Sequence, residues 1–158
     1  MRFHVRISLI VNHIAELGGR LLVIFDGHCG LCNRTVRWLA RRDSQDRLRF
    51  VASESPKVAG LLARQGIGAP DAKIGPATIL VVRDAGGPAE QVLVRSEAVL
   101  ALLAELLCPW PTVAAALGLV PHPILDLGYR LVTHWRYRIW GRLESCPAPT
   151  AGHEQRFL

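Results

Sequence analysis

Lysine is nearly missing from this 158-residue chain: Lys57 and Lys73 are the only two among 19 basic residues. The net charge of +6 and the sequence pI near 9.8 therefore come from arginine. An arginine-rich, alanine-rich composition without a nucleic-acid motif points away from nucleic acid as a partner. Cysteine is also scarce, with four residues spaced unevenly as one close pair, Cys29 and Cys32, and two isolated thiols, Cys108 and Cys146. That excludes a disulfide-dense secreted scaffold and favours catalytic or metal use in a reducing compartment. Long apolar runs are absent as well. No window reaches the roughly 18 uninterrupted apolar residues of a membrane span, because Glu105 and Pro109 interrupt the best region. The N-terminus begins basic, but Asn12 and His13 cut short its apolar stretch, so export is not expected and a cytoplasmic protein is.

What is present suits a single globular domain. Half of the residues are hydrophobic and a fifth are charged, enough apolar material at this length for a core without disulfides. Residues 1–20 read as an extension ending in Gly18-Gly19. Leu21–Phe25 is a continuous apolar run closed by Asp26-Gly27, the pattern of a strand buried on both faces. From Cys29 to about Asp43 the pattern is helical, with Leu31, Val36, Leu39 and Ala40 inward and Arg34, Arg37, Arg41 and Arg42 mostly outward. Leu48–Val51 supplies a second strand at the distance a parallel crossover needs. Ser55-Pro56 caps a helix ending near Gln65-Gly66. Residues 77–82 and 91–95, joined by the turn chemistry of Asp84–Pro88, form an antiparallel hairpin, and Ser96-Glu97 opens a helix over Ala98–Leu107.

The resulting order, β-α-β-α-β-β-α, predicts an α/β fold: a thioredoxin-like mixed sheet flanked by helices. An additional C-terminal helical segment follows Cys108. It comprises a short apolar stretch to Val120, the Pro121-His122-Pro123 break and a long helix from Ile124 to about Leu143. The core domain is expected over residues 21–146 and a tail over 147–158.

The pair Cys29-Gly30-Leu31-Cys32 sits at the strand-to-helix junction. A helix start stabilises a thiolate, and two intervening residues place the sulfurs within reach of one another. In that arrangement Cys29 acts as nucleophile and Cys32 as resolver. Asp26, three residues upstream, is placed to move protons during exchange, and His28, if cationic, would lower the Cys29 pKa. Two other uses of the motif stay open. One is a pair of inert buried thiols. The other is a metal site completed by His28, Cys146 or His153, although the second close pair typical of structural zinc is absent.

The segment Phe25-Asp26-Gly27-His28-Cys29-Gly30-Leu31-Cys32-Asn33 resembles the opening signature of the DCC family (DUF393) of thiol-disulfide oxidoreductases. Arg95-Ser96-Glu97-Ala98-Val99, Pro121–Asp126 and Arg136–Arg142 followed by Cys146 resemble further blocks of that family. The resemblance spans about Leu21 to Cys146. It implies a thioredoxin-like fold and disulfide oxidoreductase activity; such exchange is expected to need no organic cofactor and to act on a protein or small-molecule disulfide or dithiol. Asp26, Cys29 and Cys32 occupy the motif positions. Pro76, one residue out of register, is the candidate for the proline that thioredoxin-like proteins place opposite the dithiol.

Two further surfaces stand out. The C-terminal helix carries an apolar stripe, Ile124, Leu127, Leu131, Trp135, Ile139 and Leu143, expected to dock on the core. Arg130, His134, Arg138 and Arg142 form a basic ridge on another face, expected to be solvated. That ridge offers an alternative, non-catalytic function as a module binding a membrane surface or an acidic partner. Cys146 is either a free surface thiol or a third thiol near the pair, and Cys108 is expected in the core.

Overall fold

A computed structural model describes residues 19–67, 78–85, 87–144 and 152–158. The proposed extension through residue 18, Pro76 and Cys146 lie outside the described residues. Strands β1 (Leu21–Phe25), β2 (Leu48–Ala52), β3 (Leu80–Arg83) and β4 (Gln91–Val94) alternate with helices α1 (Gly30–Arg42), α2 (Pro56–Arg64) and α3 (Arg95–Glu105). Helices α4 (Trp110–Gly118) and α5 (His122–Trp140) complete the long elements among the described residues. The sheet order is β2-β1-β3-β4, with β1 parallel to β2 and antiparallel to β3, and β3 antiparallel to β4. This is the mixed α/β sheet of a thioredoxin-like fold.

Strand β1 is apolar throughout because both of its faces are covered. Val23 and Phe25 join Phe50, Val36 and Leu39 beneath α1 and α3, while Leu22 and Ile24 join Val51, Val58 and Leu61 beneath α2. Ser55 caps α2 by accepting from the Lys57 N–H, with Pro56 at the first helical position, as its sequence predicts. Arg95 opens α3 directly from β4, so this helix starts a few residues before the expected Ala98 and stops at Glu105.

The C-terminal third departs most from expectation. The apolar stretch before Val120 is a helix, α4, whose Trp110 packs edge-on against Trp38 of α1. Cys108 is exposed rather than buried, because α3 ends before it. Residues 152–158 do not trail away: Phe157 stacks on Phe50, the Leu158 N–H donates to the Phe50 carbonyl, and Arg156 reaches Asp43 and the Ala40 carbonyl.

Helix α5 is rotated from the orientation its apolar stripe predicts. Ile124, Leu127, Leu131, Trp135 and Ile139 face outward, between 45% exposed at Trp135 and 63% at Ile139. The arc turned inward is Leu125, Tyr129, Thr133, Arg136 and Trp140, against α1 and α3. Hydrogen bonds hold that arc: Ser96 donates to Asp126, the Ile79 N–H donates to the Tyr129 hydroxyl, and Arg136 and Tyr137 reach Asp26. A buried ionic group left without its partner costs several kcal/mol, on the order of 3–5 for a broken pair. Only this rotation of the helix makes those contacts, and its inward arc still buries apolar surface at Leu125, Tyr129 and Trp140.

Candidate active site

Cys29 is the N-cap of α1. Its backbone is extended (φ −92°, ψ 118°), and its sulfur accepts from the Cys32 N–H at 3.3 Å, the place a cap oxygen takes in most helices. The loop before it is fixed from below by Asn33, whose side-chain amide donates to the carbonyls of Gly27 (2.8 Å) and Cys29 (3.0 Å). The His28 N–H donates to Asp26 Oδ1 at 3.0 Å, closing the Asp26-Gly27 turn. A short strap then crosses the loop from the end of α5. Gly141, in the left-handed region at φ 75°, ends the helix and turns the chain. Cys29 and Arg142 form an antiparallel bridge, the Gly30 N–H donates to the Gly141 carbonyl at 3.4 Å, and the Leu143 N–H donates to the His28 carbonyl at 2.7 Å. Gly30 is required by this crossing, since a Cβ there would lie 2.3 Å from the Trp140 carbonyl oxygen.

Asp26, Cys29 and Cys32 are brought together with two residues that the motif does not contain. Arg136 is buried, with Nη1 3.8 Å from the Cys32 sulfur and Nη2 3.4 Å from Asp26 Oδ2. Arg136 Nη2 also donates to the Tyr137 hydroxyl at 2.9 Å, and that hydroxyl donates to Asp26 Oδ2. Asp26 is thus a buried carboxylate held by a guanidinium, a phenol and a backbone N–H. The expected role of His28 as the cation beside the pair falls geometrically to Arg136, because the His28 ring faces the strap, its Nδ1 3.1 Å from the Leu143 carbonyl.

The electrostatic result is an asymmetric pair. Hydrogen bonding from the Cys32 thiol, helped by the Cys32 N–H and the charge of Arg136, lowers the Cys29 pKa from 9.0 to about 6, against burial and Asp26, which raise it. Cys32 moves upward, because its thiol donates to Cys29, lies buried and faces the Cys29 charge. Burial and the hydrogen bond given to Asp26 push Tyr137 up to about 12, so it stays a donor. At neutral pH the two sulfurs share one proton: Cys29 is the thiolate and Cys32 the thiol.

Arg136 and Tyr137 were missed as site residues because the apolar stripe assigned them to the side of α5 away from the core. Their signal lay elsewhere, in the Arg136–Arg142 block quoted above for its family resemblance. Among the described residues no three His, Cys, Asp or Glu side chains gather as a metal-binding set.

A family model described as DCC1-like thiol-disulfide oxidoreductase matches residues 23–142. Among curated proteins, a chloroplastic DCC family protein of Arabidopsis thaliana is 32% identical over 127 residues, covering 80% of this chain and 69% of that protein. The uncharacterized protein YuxK of Bacillus subtilis is 27% identical over 137 residues, covering 87% of this chain and 93% of its own length. No solved structure matches the chain. The matched region runs from the middle of β1 to the strap over Cys29, so it takes in both the dithiol loop and the arginine that faces it, and the chain belongs to the DCC1-like thiol-disulfide oxidoreductase family.

Proposed function

We propose that the protein is a cytoplasmic oxidoreductase working by dithiol-disulfide exchange at Cys29 and Cys32, without an organic cofactor. The observation that carries this is the asymmetric pair: a Cys29 sulfur held at a helix cap by the Cys32 N–H and thiol, with buried Arg136 alongside. Inert buried thiols need no cation and no lowered pKa, whereas exchange needs a thiolate to attack and a stabilised thiolate to leave. Arg136 stabilises the thiolate form, and the Asp26–Tyr137 pair fixes the guanidinium in place. The test is a count of free thiols across a dithiothreitol redox series. A reversible two-electron transition, lost in Cys29→Ser, is the expected result; a pair that stays reduced throughout refutes the reading.

The outward face of α5 favours a second reading, docking on an anionic membrane surface. Its exposed apolar residues run beside Arg130, His134 and Arg138, and the helix's single acid, Asp126, is bound to Ser96. A cationic, apolar helix face complements anionic lipid, while a second copy would oppose like charges. No helix among the described residues is long and apolar enough to cross a membrane. Cosedimentation with vesicles of anionic phospholipid, weakened by salt and by Leu131→Glu, is expected. Equal binding to zwitterionic vesicles, no binding, or a concentration-dependent dimer on the same face refutes it.

A further inference from the structure

The dithiol is closed on one side and open on the other. Cys29 has no exposed surface, and the backbone of the strap lies across its loop, where a folded protein's disulfide would have to approach. Cys32, 9% exposed, lines a cavity of about 390 Å³ between α1, α3, α4 and α5. Its wall is predominantly apolar, with Leu31, Val99, Leu117, Leu125 and Val132 among its lining residues. Four of the polar side chains that line it are already engaged: Ser96 with Asp126, Tyr129 with the Ile79 N–H, Thr133 with the Arg130 carbonyl, and Arg136 with Asp26 and Tyr137. A charged ligand would lose its hydration there and gain little in return, while an apolar one gains by leaving water.

We propose that this cavity is the substrate site, that it selects a small uncharged thiol or disulfide rather than a protein, and that the substrate sulfur pairs with Cys32. This rests on the exchange reading above. The steps balance within the pair and the substrate. Each substrate thiol enters neutral and gives its proton to water as its sulfur attacks; the first attacks Cys32 Sγ of the Cys29–Cys32 disulfide. A bond forms between substrate sulfur and Cys32 Sγ, the Cys29–Cys32 bond breaks, and its electron pair leaves with Cys29 as thiolate. The second then attacks the substrate sulfur of that mixed disulfide, closing the substrate disulfide and expelling Cys32, which takes up a proton. Two electrons pass from substrate to protein. In reverse, Cys32 first passes its proton to the Cys29 thiolate to which it is hydrogen-bonded and attacks the substrate disulfide; the expelled substrate thiolate takes that proton, and Cys29 then attacks Cys32 Sγ and expels the second substrate thiolate. Cys29 suits the leaving position, since a thiol of low pKa leaves fastest. In this order Cys29 resolves and Cys32 carries the adduct, the opposite of the order expected from the motif.

The experiment compares exchange of the reduced protein with diallyl disulfide, which is neutral and apolar, with cystamine, which is of similar size but charged, and with glutathione disulfide and insulin. Each rate is normalised to that with free dithiothreitol. The expected preference for diallyl disulfide is roughly tenfold or more, as befits charge excluded from an apolar site. Gly128 lines the cavity, and a Cβ there meets nothing within 4 Å, so Gly128→Leu has room to begin a side chain that adds apolar volume at the cavity wall. It is expected to abolish the preference while circular dichroism and melting show an intact fold. Peptide mapping should find the allyl adduct on Cys32 in Cys29→Ser, and far less adduct on Cys29 in Cys32→Ser. Equal normalised rates for all four disulfides, an unchanged preference in Gly128→Leu, or faster adduct formation on Cys29 overturns the inference even where the pair cycles reversibly in dithiothreitol. A pair that does not cycle at all overturns the exchange reading, and this inference with it.

Discussion

Replacing Cys32 by alanine should raise the Cys29 pKa from about 6 to about 7 or higher. The magnitude follows from the site. The fall from 9.0 to about 6 is net of burial and Asp26, which both oppose it, so the lowering groups together supply at least that much. There are three of them, the Cys32 thiol, the Cys32 N–H and Arg136, and the thiol is the largest. It must therefore contribute at least a third, or about one pKa unit, which is ~1 kcal/mol. At pH 7 the thiolate fraction should drop from about nine-tenths to about half or less. Because the sulfur is buried, its reaction with a reagent reports access as well as charge, so the assay is the ultraviolet absorbance of the thiolate against pH. Cys32→Ser, which keeps a donor, should shift the midpoint less. A midpoint unmoved in Cys32→Ala, or moved equally by serine and alanine, would refute hydrogen bonding from Cys32 as the main cause. A wild-type midpoint near 9 would refute the asymmetric pair altogether.

The same depressed pKa makes the reduced protein's stability depend on pH: the unfolded chain binds the extra proton between pH 6 and 9, so stability rises with pH across that window, by up to ~4 kcal/mol, and this gain is lost below about 6. Urea unfolding of reduced and oxidised protein checks this, and parallel profiles for the two forms would contradict it. Arg136→Met should raise the Cys29 midpoint and cost about 3–5 kcal/mol, because Asp26 is left buried without its guanidinium; a loss under ~1 kcal/mol in urea unfolding would show that Asp26 does not depend on it. Gly30→Ala must displace the Trp140 carbonyl, and should cost about 1–3 kcal/mol while speeding alkylation of Cys29 by iodoacetamide. An unchanged alkylation rate would mean that the strap does not shield the sulfur. Phe25→Ala, at the fully buried end of β1, should cost about 3–5 kcal/mol by urea unfolding without moving the thiolate midpoint.

Taken alone, the sequence determined the described elements from β1 to α3. The unbroken apolar run of β1, the Ser55-Pro56 start of α2 and the turn between β3 and β4 are local signals, and each element formed within a few residues of its expected place. It also determined the dithiol loop and its Asp26, because a Cys-x-x-Cys at a strand-to-helix junction is a local pattern too. Tertiary structure decided the rest. The rotation of α5 is set by Arg136 and Tyr137 reaching Asp26 across more than a hundred residues, and no periodicity within the helix records that partner. Which sulfur is shielded and which faces a cavity depends likewise on Gly141 ending α5 and turning its backbone over Cys29. Hydrophobic spacing measures how much apolar surface a helix could bury; the buried ion pair identifies which face it does bury, since only one rotation of the helix puts Arg136 and Tyr137 on Asp26.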